Sequence, residues 1–239
     1  MMENKDVYDA VWKRRSVRKY LDKHIEESKI EALRKSISDL NETSGLTMEL
    51  VEESDSFRSI KAFMFKNVRT VIAVKGKTKD HDLNEKCGYY GEQIVLEATA
   101  LGLGTCWVAA TFKKRSSSLN IKDDETIVCA IPVGYGAEET IGSANVMDVP
   151  QRKTISVSDF LGGNTKVPEW ILSAMRAVQF APTAMNSQKA RFSYSDGKLS
   201  IQIPHSELNM VDLGITKFHF ELAAGGKFPL GTPSEFVKE

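Results

Sequence analysis

The stretch 181-APTAMNSQKARF-192 admits two interpretations that lead to different functions. It follows an apolar, helix-like run and consists mostly of small and polar residues. Pro182 ends or kinks a helix and lacks a backbone N–H. Thr183, Asn186 and Gln188 carry short polar groups that either satisfy the backbone of a loop or bind a polar ligand. The stretch is therefore either a capped helix end followed by a strand, or part of a binding site.

A dense cationic segment, 13-KRRSVRKY-20, lies near the other end of the chain. Its three guanidiniums repel one another unless an anion or water lies between them. Arg binds phosphate in a bidentate manner, and the Ser16 hydroxyl adds a compact donor. The segment is therefore either a solvated basic turn or an anion-binding site. A weaker basic pair, Arg152 and Lys153, follows much later in the chain.

The segment 101-LGLGTCWVAATF-112 contains glycines at a predicted helix end. Such glycines either cap the helix before a core strand or let the backbone approach a flat ligand closely. The segment is not a dinucleotide-binding fingerprint, because it lacks the third glycine and follows a helix where that fingerprint follows a strand.

Hydrophobic periodicity predicts a mixture of helices and strands in the first part of the chain. The predicted helices cover residues 5–13, 26–40 and 82–101, with a helix end and turn over 119–126. β-Branched and apolar runs predict strands over residues 47–53, 70–76 and 127–136.

The second part of the chain repeats this order after a polar connector over residues 137–167. Helices are predicted over 168–180 and 211–226, with a hairpin over 191–203 around Asp196-Gly197. When the second part of the sequence is aligned with the first so that Glu221 matches Glu97, Gly226 matches Gly102. The match reflects either helices of similar length or an internal duplication, and the recurring order of elements favours duplication.

Composition excludes several classes of partner. The 239 residues are 41% hydrophobic, enough for one large core or two small ones, and 32 basic residues balance 32 acidic ones. This balance argues against nucleic acid or an anionic membrane as a partner. No signal peptide or membrane-spanning run is predicted, and Cys87, Cys106 and Cys129 have no metal-ligand spacing, so we expect a cytoplasmic protein with reduced thiols. The four histidines show no catalytic pattern, and His219 is expected to be packed or on the surface.

Taken together, these segments resemble the flavin-dependent nitroreductase family. The resemblance rests on the Arg-Arg-Ser-x-Arg-x-aromatic segment at 14–20, the glycine-ended helix at 101–110, Pro-Val-Gly-Tyr at 132–135, and Ala-Pro-Thr-x-x-Asn-x-Gln at 181–188. It implies an α+β, three-layer α/β/α fold with a mostly antiparallel sheet. The chain departs from the family in carrying the Ala-Pro segment in its second half, where no Arg-Arg-Ser segment precedes it.

The first half thus lacks the Ala-Pro segment, and the second half lacks the Arg-Arg-Ser segment. The resemblance and these complementary losses together imply an internal duplication that imitates the family dimer within one chain. Residues 1–160 would form a half with the phosphate-binding arm, and residues 161–239 a shorter half with the Ala-Pro-Thr loop. Both halves would form one compact unit. We expect a monomer with one FMN.

The resemblance also implies the residues that bind FMN. The phosphate would be bound by Arg14, Ser16 and Arg152 or Lys153, with Arg15 and Arg18 nearby. The flavin ring would contact Trp107, Val108, Ala109 and Ala110, and an amide of Ala109 or Ala110 would bond flavin N5. Pro182, Thr183 and Asn186 would contact the ribityl chain or the pyrimidine edge. No catalytic side chain and no metal ligand is predicted, because the flavin carries the chemistry.

The function implied is an FMN-dependent NAD(P)H oxidoreductase, of the nitroreductase, quinone reductase or flavin reductase type. NADH or NADPH would give hydride to flavin N5 in a ping-pong cycle, and a flat acceptor such as a nitroaromatic or a quinone would then be reduced. The alternative is a flavin- or ligand-binding sensor or storage protein on the same fold, since Ala109 stands where family members often have a polar residue. Reductive dehalogenation or desaturation is a third, weaker possibility.

Overall fold

The computed structural model describes residues 4–58, 62–137, 153–164 and 166–238, and side chains from residue 6 onwards. The described residues form two compact units. The first unit lies within Met1–Leu83 and Gln93–Met147, and the second within Asn84–Glu92 and Asp148–Glu239. The proposed ancestral halves, 1–160 and 161–239, stay a prediction.

The first unit is built around a four-stranded antiparallel sheet with the order β1-β2-β4-β3. Its strands are β1 (Glu49–Val51), β2 (Thr70–Lys77), β3 (Gly104–Thr105) and β4 (Glu125–Gly134). The central strands β2 and β4 pair with Ala73 opposite Ala130 and are almost entirely buried. The buried β-branched runs 70–76 and 127–136 therefore predicted these two strands correctly.

The helices of the first unit agree with the predicted periodicity. They are α1 (Asn4–Lys13), α2 (Glu27–Ser44) and the later turns of α3 (Leu83–Ala100). In α2 the buried face contains Ile30, Leu33 and Ile37, as predicted. The helix continues past the predicted end at residue 40, because Gly45 adopts the left-handed conformation (φ 75°) that ends it.

The prediction for residues 119–126 is correct for the turn and wrong for the helix end. Residues 119–122 form irregular backbone, and a turn at 123–124 leads into β4. Leu119 and Ile121 pack on the core of this unit as isolated side chains, so their apolar character reflects burial without a helix.

The described part of the second unit contains a three-stranded antiparallel sheet with the order β5-β6-β7, three α-helices besides residues 84–92 of α3, and a short 3-10 helix (Ala184–Asn186). The helices are α4 (Val157–Phe160), α5 (Glu169–Phe180) and α6 (Glu207–Ala224), and the strands are β5 (Arg191–Ser195), β6 (Lys198–Gln202) and β7 (Ser234–Glu235). Asp196 and Gly197 both have positive φ, as a type I′ turn requires, so the predicted hairpin is confirmed. The connector prediction is wrong at α4, where Ser156 and Asp159 form a capping box.

Helices α3 and α6 have the same length and the spacing that the sequence match predicted. Each has 18 residues, and Leu83 corresponds to Glu207 and Ala100 to Ala224 at one common offset. Helix α6 begins before the predicted residue 211 because Ser206 caps it by accepting the Asn209 N–H. The equal lengths agree with an internal duplication, which remains a prediction.

Two glycines allow backbone contact between α6 and residues 84–92 in the second unit. A Cβ atom on Gly214 would lie well inside contact distance of the Glu85 carbonyl oxygen, and one on Gly88 would do the same to Val211. Real Cβ atoms do not approach backbone oxygens so closely, so neither position accepts a side chain without displacement. The two segments must therefore shift apart if either glycine is replaced.

We expect Gly214→Ala to lower the free energy of unfolding by about 1–3 kcal/mol, because it overpacks this crossing. Helix propensity alone predicts the opposite, a gain of about 1 kcal/mol. Urea unfolding would measure the difference, with Ser173→Ala on the exposed side of α5 as a control expected to be nearly neutral. A Gly214→Ala variant as stable as this control would contradict the close crossing.

Candidate functional site

The arginine-rich segment of the first unit is fixed against β3 and is not a free turn. Ser16 forms a parallel bridge with Thr105, and the Val17 N–H donates to the Thr105 carbonyl at 2.8 Å. Gly104 makes this approach possible, since a Cβ there would lie 2.7 Å from Val17 Cγ2. The interpretation of Gly104 as a position that admits a flat ligand is therefore wrong, because Val17 fills that space. Gly102 follows α3 with a φ of 78°, which agrees with the alternative that the glycines of this segment cap the helix.

The far end of the same segment is attached to the residues that follow β4. Tyr20 forms an antiparallel bridge with Gly136, and the Leu21 N–H donates to the Tyr135 carbonyl at 2.8 Å. The buried Tyr20 hydroxyl donates to the carbonyls of Val17 and Pro132 at 2.7 and 3.1 Å. Burial first, and then the nearby Cys106, raises the pKa of Tyr20 well above its usual value. The phenol thus stays neutral and links the middle of the segment, at Val17, to β4 at Pro132.

The segment that carries Arg14, Ser16 and Arg18 runs beside Thr105, which precedes the buried Cys106. Burial raises the pKa of the Cys106 thiol, while Arg18, Arg14 and a hydrogen bond from Ser16 act in the opposite direction. Arg14 is only 7% exposed, so its guanidinium does not lie in bulk solvent and the solvated-turn alternative fails for it. The two guanidiniums and the hydroxyl are groups suited to binding an anion such as phosphate.

The predicted ring-contacting segment touches β4 at a single bridge and then bends away from it. Val108 exchanges two backbone hydrogen bonds with Ala130, at 3.0 and 2.8 Å, and its side chain is buried in the core. Trp107 and Ala109 are partly exposed and Ala110 is exposed. A ligand can therefore reach these three residues, whereas the Val108 side chain is covered by the core.

In the second unit, the polar residues after α5 satisfy one another and the neighbouring backbone. The Asn186 amide donates to the Lys153 carbonyl at 2.7 Å, and the Gln188 amide donates to the same oxygen at 3.0 Å. The Gln188 carbonyl oxygen accepts from Thr154 Oγ1 at 2.7 Å, and the Gln188 N–H donates to Thr183 Oγ1 at 3.2 Å. These bonds confirm the alternative in which the polar side chains of residues 181–188 satisfy the backbone of a loop between a helix and a strand.

This loop also holds an unusual backbone conformation. Met185, Asn186 and Gln188 have φ between 46° and 56°, in the left-handed region that costs roughly 1 kcal/mol or more for a residue with a side chain. The Met185 side chain is 95% exposed, so burial does not offset its cost. The carboxylate of Asp212 accepts the Ala184 N–H at 2.9 and 3.1 Å and lies 3.4 Å from the Ser187 hydroxyl. Asp212 therefore anchors the strained turn.

The sequence interpretation missed Asp212 and Cys106 as residues that shape these segments, although it named Gln188 as one that could satisfy a loop backbone. A carboxylate within the apolar run of α6 was an available signal for Asp212, since a buried acid needs donors. Of the predicted FMN contacts, Pro182 is buried and Arg15, Thr183 and Asn186 are partly buried, whereas Ser16, Arg18 and Lys153 are exposed. Arg152 lies outside the described residues. The structure therefore places Arg14, Ser16 and Arg18 along one segment of the first unit, and in the second it joins Thr183, Asn186 and the Lys153 carbonyl through Gln188.

We expect Asp212→Asn to remove a pH dependence of stability. Burial raises the pKa of Asp212 to about 6, although Ala184, Ser187 and Lys189 favour its ionised form. A carboxyl with a raised folded-state pKa stabilises the fold most below its unfolded value, and that contribution is lost as pH rises through about 6. The unfolding free energy of the wild type, relative to Asp212→Asn, should fall by on the order of 1–2 kcal/mol between pH 4.5 and 7.5. A constant difference across that range in urea titrations would contradict the burial of this carboxyl.

A cavity of about 250 Å³ in the first unit lies apart from the predicted contacts. It is lined by Asp22, Phe57, Arg58, Phe65, Asn67, Val68 and Arg69. Its Arg69 guanidinium is paired with Asp22 at 2.6 Å and with Glu53 at 2.9 Å, and its Arg58 guanidinium lies 3.9 Å from Glu53. Because these two cations and two carboxylates balance, the cavity offers no ionic basis for a particular ligand.

Other polar clusters in the second unit are structural in character. His219 is fully buried, as a packed histidine was expected to be, and bonds Glu92 at 2.9 Å and the Ala177 carbonyl at 3.1 Å. Among the described residues, no group of three or more His, Cys, Asp or Glu side chains could hold a metal ion. No helix in the described ranges is both long and apolar enough to cross a membrane.

Comparisons with known proteins bear on the family and the fold. The model of a family described as "Putative TM nitroreductase" matches residues 6–224. A solved structure of a putative nitroreductase from Thermotoga maritima is 23% identical, with a TM-score of 0.64 over 99% of this chain and 94% of that one. A nitroreductase with bound FMN from Bacteroides fragilis is 18% identical, with a TM-score of 0.47 over 70% of this chain and 100% of that one. No curated protein matches the chain. The Thermotoga likeness, which spans nearly the whole of both chains, shows the fold.

Proposed function

The chain belongs to the nitroreductase family, whose model spans most of its length, and we propose that it is an FMN-dependent NAD(P)H oxidoreductase. Its α+β fold with antiparallel sheets is that of the family. The observation that carries the proposal is the burial of Arg14 in a segment that is fixed against β3, where the resemblance predicts the FMN phosphate. The groups of Arg14, Ser16 and Arg18 suit a phosphate, because they are cationic or hydroxylic.

The phosphate would be held mainly by charge-assisted hydrogen bonds. Arg14 is buried, so water competes little for its guanidinium and its side chain has few alternative positions. Each bond between a charged donor and phosphate contributes about 1.5–3 kcal/mol. Ser16 and Arg18 are exposed and can reach a ligand. Arg15 and the basic pair Arg152 and Lys153 remain predicted contributors.

The ring-contacting residues would be the accessible ones of the 107–110 segment. Trp107 offers an apolar surface, and Ala109 or Ala110 offers a backbone N–H without a bulky side chain. Pro182, Thr183 and Asn186 remain predicted contacts of the ribityl chain or the pyrimidine edge. Thr183 accepts the Gln188 N–H through its hydroxyl oxygen, which leaves its own proton as a possible donor to a ligand.

The chemistry would come from the cofactor and the positioning from the protein. Bound FMN supplies a hydride acceptor at N5, which serves a ping-pong cycle between NADH or NADPH and a flat acceptor such as a nitroaromatic, a quinone or another flavin. The residues of the chain bind and orient these groups, and no side chain is assigned a proton-transfer step. A monomer with one FMN per chain is the assembly we infer.

The proposal predicts that the purified protein binds FMN and oxidises NADH or NADPH with menadione. The flavin absorption of the protein, its response to FMN added to the apoprotein, and anaerobic bleaching by the nicotinamide donor would measure this. A colourless protein that takes up no FMN would contradict the proposal. A flavin-loaded protein that fails to turn over would favour the sensor or storage alternative.

The inferred assembly is tested separately. Light scattering during size-exclusion chromatography should give the mass of one chain, 26.6 kDa, and flavin released on denaturation should give about one FMN per chain. An obligate dimer, or two flavins per chain, would contradict the inferred duplication while leaving the flavin chemistry untouched.

A further inference from the structure

A cluster of exposed cations follows the predicted ring-contacting segment in the first unit. Lys113, Lys114 and Arg115 are consecutive, and all three are exposed. Within the described ranges, Lys113 is the one member of this 113–115 cluster with a carboxylate in salt-bridge distance, Asp55 at 3.5 Å. The structure thus places two cations on the surface with no described ionic partner.

The loop that carries the 113–115 cluster is anchored on both sides by buried side chains. Phe112 is 3% exposed and stacks on Phe57 with 6.0 Å between ring centroids. Ser116 is 4% exposed and donates to Asp55, and the Lys113 N–H donates to the Ser56 carbonyl at 2.8 Å. The loop backbone is therefore ordered before a ligand arrives, which lowers the entropic cost of binding.

The local charge remains positive despite Asp55. Hydrogen bonds from Ser116 and then Ser118 lower the pKa of Asp55, so this carboxylate is ionised at neutral pH. Its charge offsets one member of the 113–115 cluster and leaves an excess of two positive charges. An excess of this size attracts a dianion more strongly than a monoanion.

The 113–115 cluster lies close in sequence to the predicted ring-contacting segment. Arg115 is five residues beyond Ala110, and five residues span at most about 18 Å. A dinucleotide with its nicotinamide at the flavin carries its adenosine phosphates away from the ring. The cluster is therefore within chain reach of such a dinucleotide.

We propose that the 113–115 cluster binds the 2′-phosphate of NADPH and makes NADPH the preferred electron donor. The inference rests on the proposed function, since it names the donor of the same reaction. A phosphate monoester carries nearly two negative charges at neutral pH, and NADH has a hydroxyl in its place. Arg115 can bind this phosphate in a bidentate manner, while Lys114 adds a point charge.

The test is a double charge reversal, Lys114→Glu with Arg115→Glu, in the FMN-loaded protein with menadione as acceptor. The KM for NADPH should rise at least tenfold, while kcat and the KM for NADH stay unchanged. A matched control, Lys35→Glu with Lys79→Glu, changes the net charge of the same unit equally at exposed positions outside the loop. Both KM values of this control should equal those of the wild type.

Two outcomes of the kinetics would overturn the inference. An unchanged KM for NADPH would show that the cluster binds no part of the donor. An equal rise for NADH and NADPH would assign the cluster to the pyrophosphate that both donors share.

A wild-type protein that oxidises neither donor would contradict the proposed function, and calorimetry would then test the inference alone. Binding of 2′,5′-ADP at least tenfold tighter than that of 5′-AMP, lost in the double variant and kept in the control, would support it. Equal binding of the two nucleotides would overturn it.

Discussion

Replacing Arg14 by Met is expected to weaken FMN binding at least a hundredfold. The buried guanidinium would supply charge-assisted bonds worth about 1.5–3 kcal/mol each, and two of them correspond to roughly a hundredfold or more in Kd. Met preserves most of the length and apolar contact of the side chain but has no charge and no donor. The loss should therefore fall on the ligand more than on packing.

Fluorescence titration of the apoprotein with FMN measures this effect. Arg14→Lys, which keeps the charge but loses the bidentate fork, should bind FMN with intermediate affinity. Arg34→Met is the matched control, because Arg34 lies exposed on α2 and pairs with Glu52 at 2.5 Å. Unchanged FMN affinity in Arg14→Met, with the fold intact by circular dichroism, would move the phosphate site elsewhere.

The elements that sequence analysis predicted well are those with a local signal. The buried face of α2 repeats at helical spacing, and the hairpin follows from Asp196-Gly197. Element ends were less predictable, because they depend on single caps. The extension of α2 depends on Gly45, and the early start of α6 depends on Ser206.

Sequence analysis predicted which residues form the candidate site but not which distant residues they contact. The motif identified Arg14 and Ser16, but the Thr105 backbone that fixes Ser16 comes from a segment about 90 residues later in the chain. The sequence left open whether Gly104 admits a ligand or precedes a core strand, and only the structure shows that its small size is needed for Val17. Asp212 was missed because nothing near it in sequence shows that the turn at 184–187 needs an acceptor. Such contacts depend on packing between distant segments, which periodicity does not encode.

Replacing Lys217 by Met is expected to lower the free energy of unfolding by about 3–5 kcal/mol. The Lys217 ammonium is buried in the second unit and donates to Glu85 Oε1 at 2.5 Å and to the carbonyls of Pro229 and Gly231 at 2.7 and 2.8 Å. Glu85 is buried as well, and its other oxygen accepts the Gly231 N–H at 2.7 Å. Removing the cation leaves a buried carboxylate without its counter-charge, which is the costly half of a broken ion pair.

A double-variant cycle separates this pair from ordinary packing. Glu85→Gln combined with Lys217→Met removes both charges and keeps an acceptor for the Gly231 N–H, so it should be more stable than Lys217→Met alone. Lys198→Met is the control in the same unit, because its exposed pair with Glu235 at 3.2 Å should contribute less than about 1 kcal/mol. If urea unfolding gives Lys217→Met and Lys198→Met the same small loss, the ammonium is reached by water and the pair is not buried as described. If the double variant is no more stable than Lys217→Met, the cost lies in lost packing and not in the stranded charge.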